Sequence, residues 1–152
     1  MTRVLFVCLG NICRSPTAEG VARHLAAEAG IPADFASAGT GAWHLGDPPY
    51  GPAQRAAAAR GYDLSQMRAR KFQAADYEEF DLILAMDDDN LAAVEAQRPR
   101  GSQTLVRRFA QFAEGPETAI PDPYYSGDFD GALNLIERAS TGLVAALRSG
   151  QF

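Results

Sequence analysis

The chain has 152 residues, 47% hydrophobic and 22% charged, which is ordinary globular composition and long enough for one domain with a sizeable core. Its formal net charge of −5, with no basic cluster to offset it, argues against nucleic acid as a partner. No apolar run reaches the roughly 18 residues of a membrane span, and two cysteines do not make a disulfide framework.

Residues 3–7, RVLFV, predict a strand buried on both faces. The apolar run is too short for a secretory signal and no small-residue cleavage site follows it, so a cytoplasmic protein is expected. A helix is predicted from Pro16 to Ala29, with Ser15 as N-cap, Pro16 at the first position and Gly30 as the stop. Ala18, Val21, Ala22 and Leu25 share one of its faces. A second strand is expected over 34–39, a glycine- and proline-rich loop over 39–52 and a helix over 51–60. DLILAM, 81–86, reads as a third buried strand. DDDN, 87–90, suits a helix start, where acidic groups meet the positive end of the dipole, better than a metal site. A short fourth strand falls within 103–109, a loop covers 114–128, and a last helix runs from Phe129 to Arg148. This alternation implies a single α/β domain over 1–152 with a parallel four-stranded sheet flanked by helices. Ligands bind such sheets outside the carboxyl ends of the strands, where the segments after Cys8 and Met86 emerge.

The segment FVCLGNICRSP, 6–16, carries the chemistry. The backbone N–H groups of Leu9, Gly10, Asn11, Ile12 and Cys13 have no predicted strand or helix partner, and curled inward they would make an anion nest in front of a helix start. Gly10 allows close approach, and Asn11 tolerates the positive φ of a tight loop. Arg14 can hold two phosphate oxygens at once through its planar fork. A helix N-terminus and a guanidinium favour thiolate over thiol, so Cys8 is a nucleophile candidate, and the Ser15 hydroxyl could hydrogen-bond its sulfur. A phenolate leaving group gains from protonation, and Asp122 in IPDPYY, stiffened by Pro121 and Pro123, is the candidate acid and later base. Taken singly, Cys8 could be a core thiol, Asp122 a turn residue, and Tyr124 and Tyr125 packing under the loop. Trp43 could be partly core, and Cys13 is open between packing and redox roles. His24 and His44 lie far from any Cys–His metal spacing. GTGAWH lacks the third glycine of a dinucleotide fingerprint, and no nucleotide phosphate-loop motif occurs. No metal or cofactor is expected.

C-x5-R-S directly after the first strand, with a late D-P-Y-Y, resembles the low-molecular-weight protein tyrosine phosphatase family across nearly the whole chain. VCLGNICRSPTAEG is the most specific stretch, and SAGT, 37–40, and MDDDN, 86–90, are also similar. The resemblance implies metal-free hydrolysis of protein phosphotyrosine through a phosphocysteine, releasing phosphate. Cys8 would be the nucleophile, Arg14 the phosphoryl ligand and Asp122 the general acid. Asn11 and Ser15 would support the loop, with Ser37 a further candidate, and Trp43, Tyr124 and Tyr125 would line the substrate pocket. It also implies that Cys13 can pair reversibly with Cys8 under oxidation, and that Ile12, where arginine phosphatases usually carry threonine, favours phosphotyrosine. The chain departs from the family in LSQMRARKF, 64–72, with Met67 for a histidine and Lys71 for a glutamine. Two rivals are weighed. An arsenate reductase relay needs further cysteines, and none follows Cys13. A non-catalytic phosphate binder needs neither nucleophile nor acid.

Overall fold

The computed structural model describes residues 1–152. β1 (Thr2–Cys8) lies between β2 (Ala33–Gly39) and β3 (Leu82–Ala85), and β4 (Leu105–Arg108) pairs with β3. All pairings are parallel, in the order β2-β1-β3-β4. The chain leaves β1 toward one edge and later returns to its other side. The carboxyl end of β1 is therefore the topological switch point, where such sheets open a crevice.

Alternation along β1 divides the core between the two faces of the sheet. Val4, Phe6 and Cys8 join the apolar side of α1 (Arg14–Glu28) and α6 (Phe129–Arg148). Leu5 and Val7 face a smaller cluster with Phe72, Tyr77, Ile83 and Val94, beside α3 (Asp76–Glu79) and α4 (Asp88–Glu95). Phe6 anchors the first layer, edge-on to Phe109 with ring centroids 5.0 Å apart. α2 (Gly51–Ala58) packs its alanines close to α6. No helix is long and apolar enough to cross a membrane.

Three features differ from expectation. α1 begins at Arg14 with Cys13 in the N-cap position, so Ser15 is not the cap. Its hydroxyl is fully buried and turned toward Cys8. Pro16 still falls in the first turn, where its missing N–H leaves no helical bond unmade. The 114–128 segment contains one helical turn, α5 (Pro123–Ser126), capped by the Asp122 side chain. Finally, α3 and the 3-10 turn Phe109–Phe112 are elements too short to show a period in the sequence.

Candidate active site

Cys8 ends β1, and the next five residues curl over its sulfur before α1 begins. Asn11 has φ 56°, the sole non-glycine residue with positive φ, as the tight loop requires. Its N–H donates to Cys8 Sγ at 3.3 Å, and Ser15 Oγ lies 3.0 Å from the same sulfur. The N–H groups of Leu9, Gly10, Ile12 and Cys13 make no hydrogen bond within the protein. Unpaired donors beside a helix N-terminus form the nest that the sequence predicts.

The loop is braced from three sides. Asn11 Nδ2 donates to Ser15 Oγ at 2.8 Å and to Ser37 Oγ at 3.0 Å, while the Arg70 N–H donates to Asn11 Oδ1 at 3.0 Å. The 64–72 segment thus touches the loop directly through its backbone. Met67, at the departure from the family pattern, packs on the core instead. Lys71 meets Gly39 through a backbone bridge, and the residue is exposed. Gly39 must be glycine because a Cβ there would stand 2.8 Å from the Leu9 carbonyl oxygen. 

Arg14 is 4% exposed. It donates to Asp87 Oδ2 at 2.8 Å and to the Ile120 carbonyl at 2.9 Å, with Asp122 Oδ2 3.5 Å away. Asp87 both caps α4, accepting from the Asn90 N–H, and fixes the guanidinium. Of the acidic run, it alone reaches Arg14. Asp88 pairs with Arg108 and Asp89 is exposed. Asp122 accepts from the Tyr124 N–H at 3.1 Å, which aims its other oxygen toward Arg14.

These groups share one cavity of about 230 Å³. Cys8, Leu9, Gly10, Ile12, Cys13 and Arg14 line its floor, and Trp43, His44, Asp122, Tyr124 and Tyr125 its sides. Trp43 is 75% exposed, so it is wall and not core, and it folds over Gly41, where a Cβ would collide with its ring. Tyr124 leans on Tyr50 at 5.1 Å and meets Tyr125 edge-on at 5.2 Å. Both tyrosines stand at the mouth and do not pack beneath the loop. His44 belongs to the site without having been singled out from the sequence, whereas Asp87 is read there only as part of an acidic helix start, and its contact with Arg14 is missed. Adjacency of β1 and β3 puts an acidic N-cap opposite an arginine, a signal that needs the strand order.

Both cysteines are free and buried. Burial first, then the neighbouring Cys8 and Asp122, push Cys13 from an ordinary thiol value of 9.0 up to about 12, against a lowering by Arg14. Cys13 therefore stays a protonated, unreactive thiol throughout the neutral range. Brief iodoacetamide treatment near neutral pH is expected to alkylate Cys8 and spare Cys13, as peptide mass mapping would show. Equal labelling of the two would contradict this assignment.

The model of the family described as low molecular weight phosphotyrosine protein phosphatase matches residues 3–151. The chain belongs to that family. A low molecular weight protein-tyrosine-phosphatase of Streptomyces coelicolor is 40% identical over 154 residues, covering 96% of this chain and 93% of the relative. YfkJ of Bacillus subtilis, named likewise, is 38% identical over 151 residues, covering 97% of each chain. The crystal structure of YfkJ superposes with a TM-score of 0.94 at 36% identity, over 100% of this chain and 98% of that one. A Drosophila arginine phosphatase shares the fold at TM-score 0.88 and 29% identity, covering 95% of this chain and 97% of that one. The phosphatase fold thus carries more than one phosphoryl substrate class, and the walls of the cavity must choose between them.

Proposed function

We propose that this phosphatase, acting as one domain over residues 1–152, hydrolyses phosphotyrosine in proteins, and small aryl phosphates, through a phosphocysteine on Cys8 without a metal ion. The observation that carries the proposal is the unpaired ring of N–H donors around Cys8 Sγ, with Arg14 and Asp122 in the same cavity. In the first step the Cys8 thiolate attacks phosphorus. The S–P bond forms, the P–O bond to the phenol breaks, and Asp122 delivers its proton to the departing oxygen. In the second step the Asp122 carboxylate takes a proton from water. That water attacks phosphorus, the S–P bond breaks, and phosphate and thiolate are released.

The nest, the α1 N-terminus and Arg14 supply the charge that balances the equatorial oxygens. Arg14 would exchange its contacts with the two carboxylates for phosphoryl oxygens while the Ile120 carbonyl still holds its NH1. Ser15 Oγ, 3.0 Å from sulfur, would stabilise the thiolate both before attack and as it leaves. Leu9, Trp43, Tyr124 and Tyr125 offer apolar surface to a phenyl ring, and Ile12 in the floor adds no polar group for a guanidinium. That supports phosphotyrosine over phosphoarginine as substrate.

The test is a pH profile of aryl phosphate hydrolysis in the presence of a chelator. The expected profile is bell-shaped with its maximum at or below neutral pH. The first step needs thiolate on Cys8 and a proton on Asp122. Absence of turnover by freshly reduced enzyme would return the site to a mere phosphate binder.

A further inference from the structure

Met1 aside, the large apolar side chains that stand exposed gather on the face that holds the cavity. Leu9, Trp43, Tyr124 and Tyr125 line the cavity itself. Leu45 follows the lining residue His44. Tyr50 lies outside the lining but meets Tyr124, with ring centroids 5.1 Å apart. Contiguous apolar surface left in water marks a place where something binds.

Tyr50 is placed there at a cost. It occupies the N-cap position of α2, which serine, threonine, asparagine and aspartate favour because their side chains accept from the free N–H groups of the first turn. Tyrosine does not, and no side-chain bond caps this helix. The residue is nevertheless held firmly. Its N–H donates to the Ile12 carbonyl of the phosphate loop at 2.8 Å, and its carbonyl accepts from the Gln54 N–H at 2.9 Å. Pro48 and Pro49 stiffen the approach. Phe129, at the start of α6, supports the ring at a centroid distance of 6.0 Å. Even so, Tyr50 stays 38% exposed. A helix cap is given up to hold an aromatic ring, tied to the phosphate loop, on the side of Tyr124 away from the cavity.

We propose that Tyr50 and Tyr124 form a shelf outside the cavity that takes an apolar side chain, the size of leucine or phenylalanine, two residues from the phosphotyrosine of the substrate protein. The proposal rests on the reading of the protein as a phosphotyrosine phosphatase. Continuity with the cavity fixes the occupant. A phosphotyrosine in the cavity carries its own chain across the mouth, so the surface beyond Tyr124 meets the residues that flank it. In an extended segment, side chains two positions apart point the same way and stand about 6.6–6.8 Å apart. That spacing puts one side chain into the cavity and the other one ring beyond the Tyr124 wall. The two rings present faces without charge, so apolar burial supplies the selectivity.

Peptides carrying non-hydrolysable phosphonomethylphenylalanine among serines test the shelf by their affinity for wild-type protein and Tyr50 variants. In one peptide a leucine replaces the serine two positions before the phosphonate residue, and in another it replaces the serine two positions after it. A chain crosses the mouth in one direction. One of these two peptides is therefore expected to bind wild type about tenfold more tightly than the all-serine peptide, the gain from burying most of a leucine side chain. In Tyr50→Ser that ratio should fall below about threefold, and in Tyr50→Phe, which keeps the ring, it should persist. Serine is a preferred cap, which offsets the packing lost against Phe129, and thermal melting establishes that the variant folds. If it does not fold, Tyr50→Asn carries the same expectation. Leucine peptides that bind wild type no better than the all-serine peptide would overturn the proposal. So would a ratio that survives in Tyr50→Ser, because a tyrosine that only props Tyr124 would weaken all three peptides alike. Binding is read without turnover, so failure of the shelf is separable from failure of the phosphocysteine mechanism.

Discussion

Cys8→Ser is expected to lower turnover of any aryl phosphate by at least about 10⁴-fold while the protein still folds. A serine hydroxyl in the same nest is not ionised at neutral pH, and neither the helix N-terminus nor Arg14 closes that gap. The exchange is nearly isosteric at a residue that is 3% exposed, and Ser15 and the Asn11 N–H remain as partners. Stability should therefore change by less than about 2 kcal/mol. Steady-state hydrolysis and a melting curve on the same sample check both halves. Residual activity near wild type in a folded variant would remove Cys8 from the chemistry.

The second large effect is expected at Asp122, and its size should depend on the leaving group. Without the acid the phenolate must depart unaided, so kcat/KM for phenyl phosphate should fall by about 10²-fold or more. For p-nitrophenyl phosphate, whose phenolate is stable at neutral pH, the fall should stay below about tenfold. The ratio kcat/KM is the right quantity, because it reports only steps up to release of the phenol. Asp122 also caps α5, so an alanine confounds lost acid with a lost cap. Asp122→Asn separates them, since asparagine caps a helix as well as aspartate does but carries no acidic proton. Equal slowing of both substrates would assign Asp122 to positioning Arg14 and the α5 turn.

Much of this site is legible in the sequence because its local rules agree with its fold. A buried strand, a cysteine, a short loop and a helix start are consecutive, and the positive φ of Asn11 is what that residue type allows. α6, with its long amphipathic period, has the boundaries that its pattern predicts. Ser15 is misread for a physical reason. Serine before proline is a strong capping signal, but here the loop draws Arg14 into the first helical turn, and the hydroxyl serves the sulfur instead. The Asp122 turn becomes helical because the carboxylate caps it and Pro123 starts it, in a segment too short to show a period.

The contacts that cross the sheet are a different matter. Arg14 and Asp87 are 73 positions apart, and their pairing depends on β3 lying beside β1. His44 reaches the cavity, and Tyr50 reaches the Tyr124 wall, through a loop whose path no periodicity describes. Glu19 sits on a predicted helix, but its partner Ser37 lies on the neighbouring strand β2.

The central claim is that phosphorus passes through the sulfur of Cys8. Asp122→Asn is the variant in which to see it, because the weak acid requirement of p-nitrophenyl phosphate lets the first step proceed while the missing base slows the second. Rapid quenching of that reaction, proteolysis and fragment mass spectrometry should find a phosphoryl group on Cys8 and none on Cys13, in an amount matching the first turnover of nitrophenol. Release of nitrophenol with no phosphoryl group on Cys8 would contradict the mechanism.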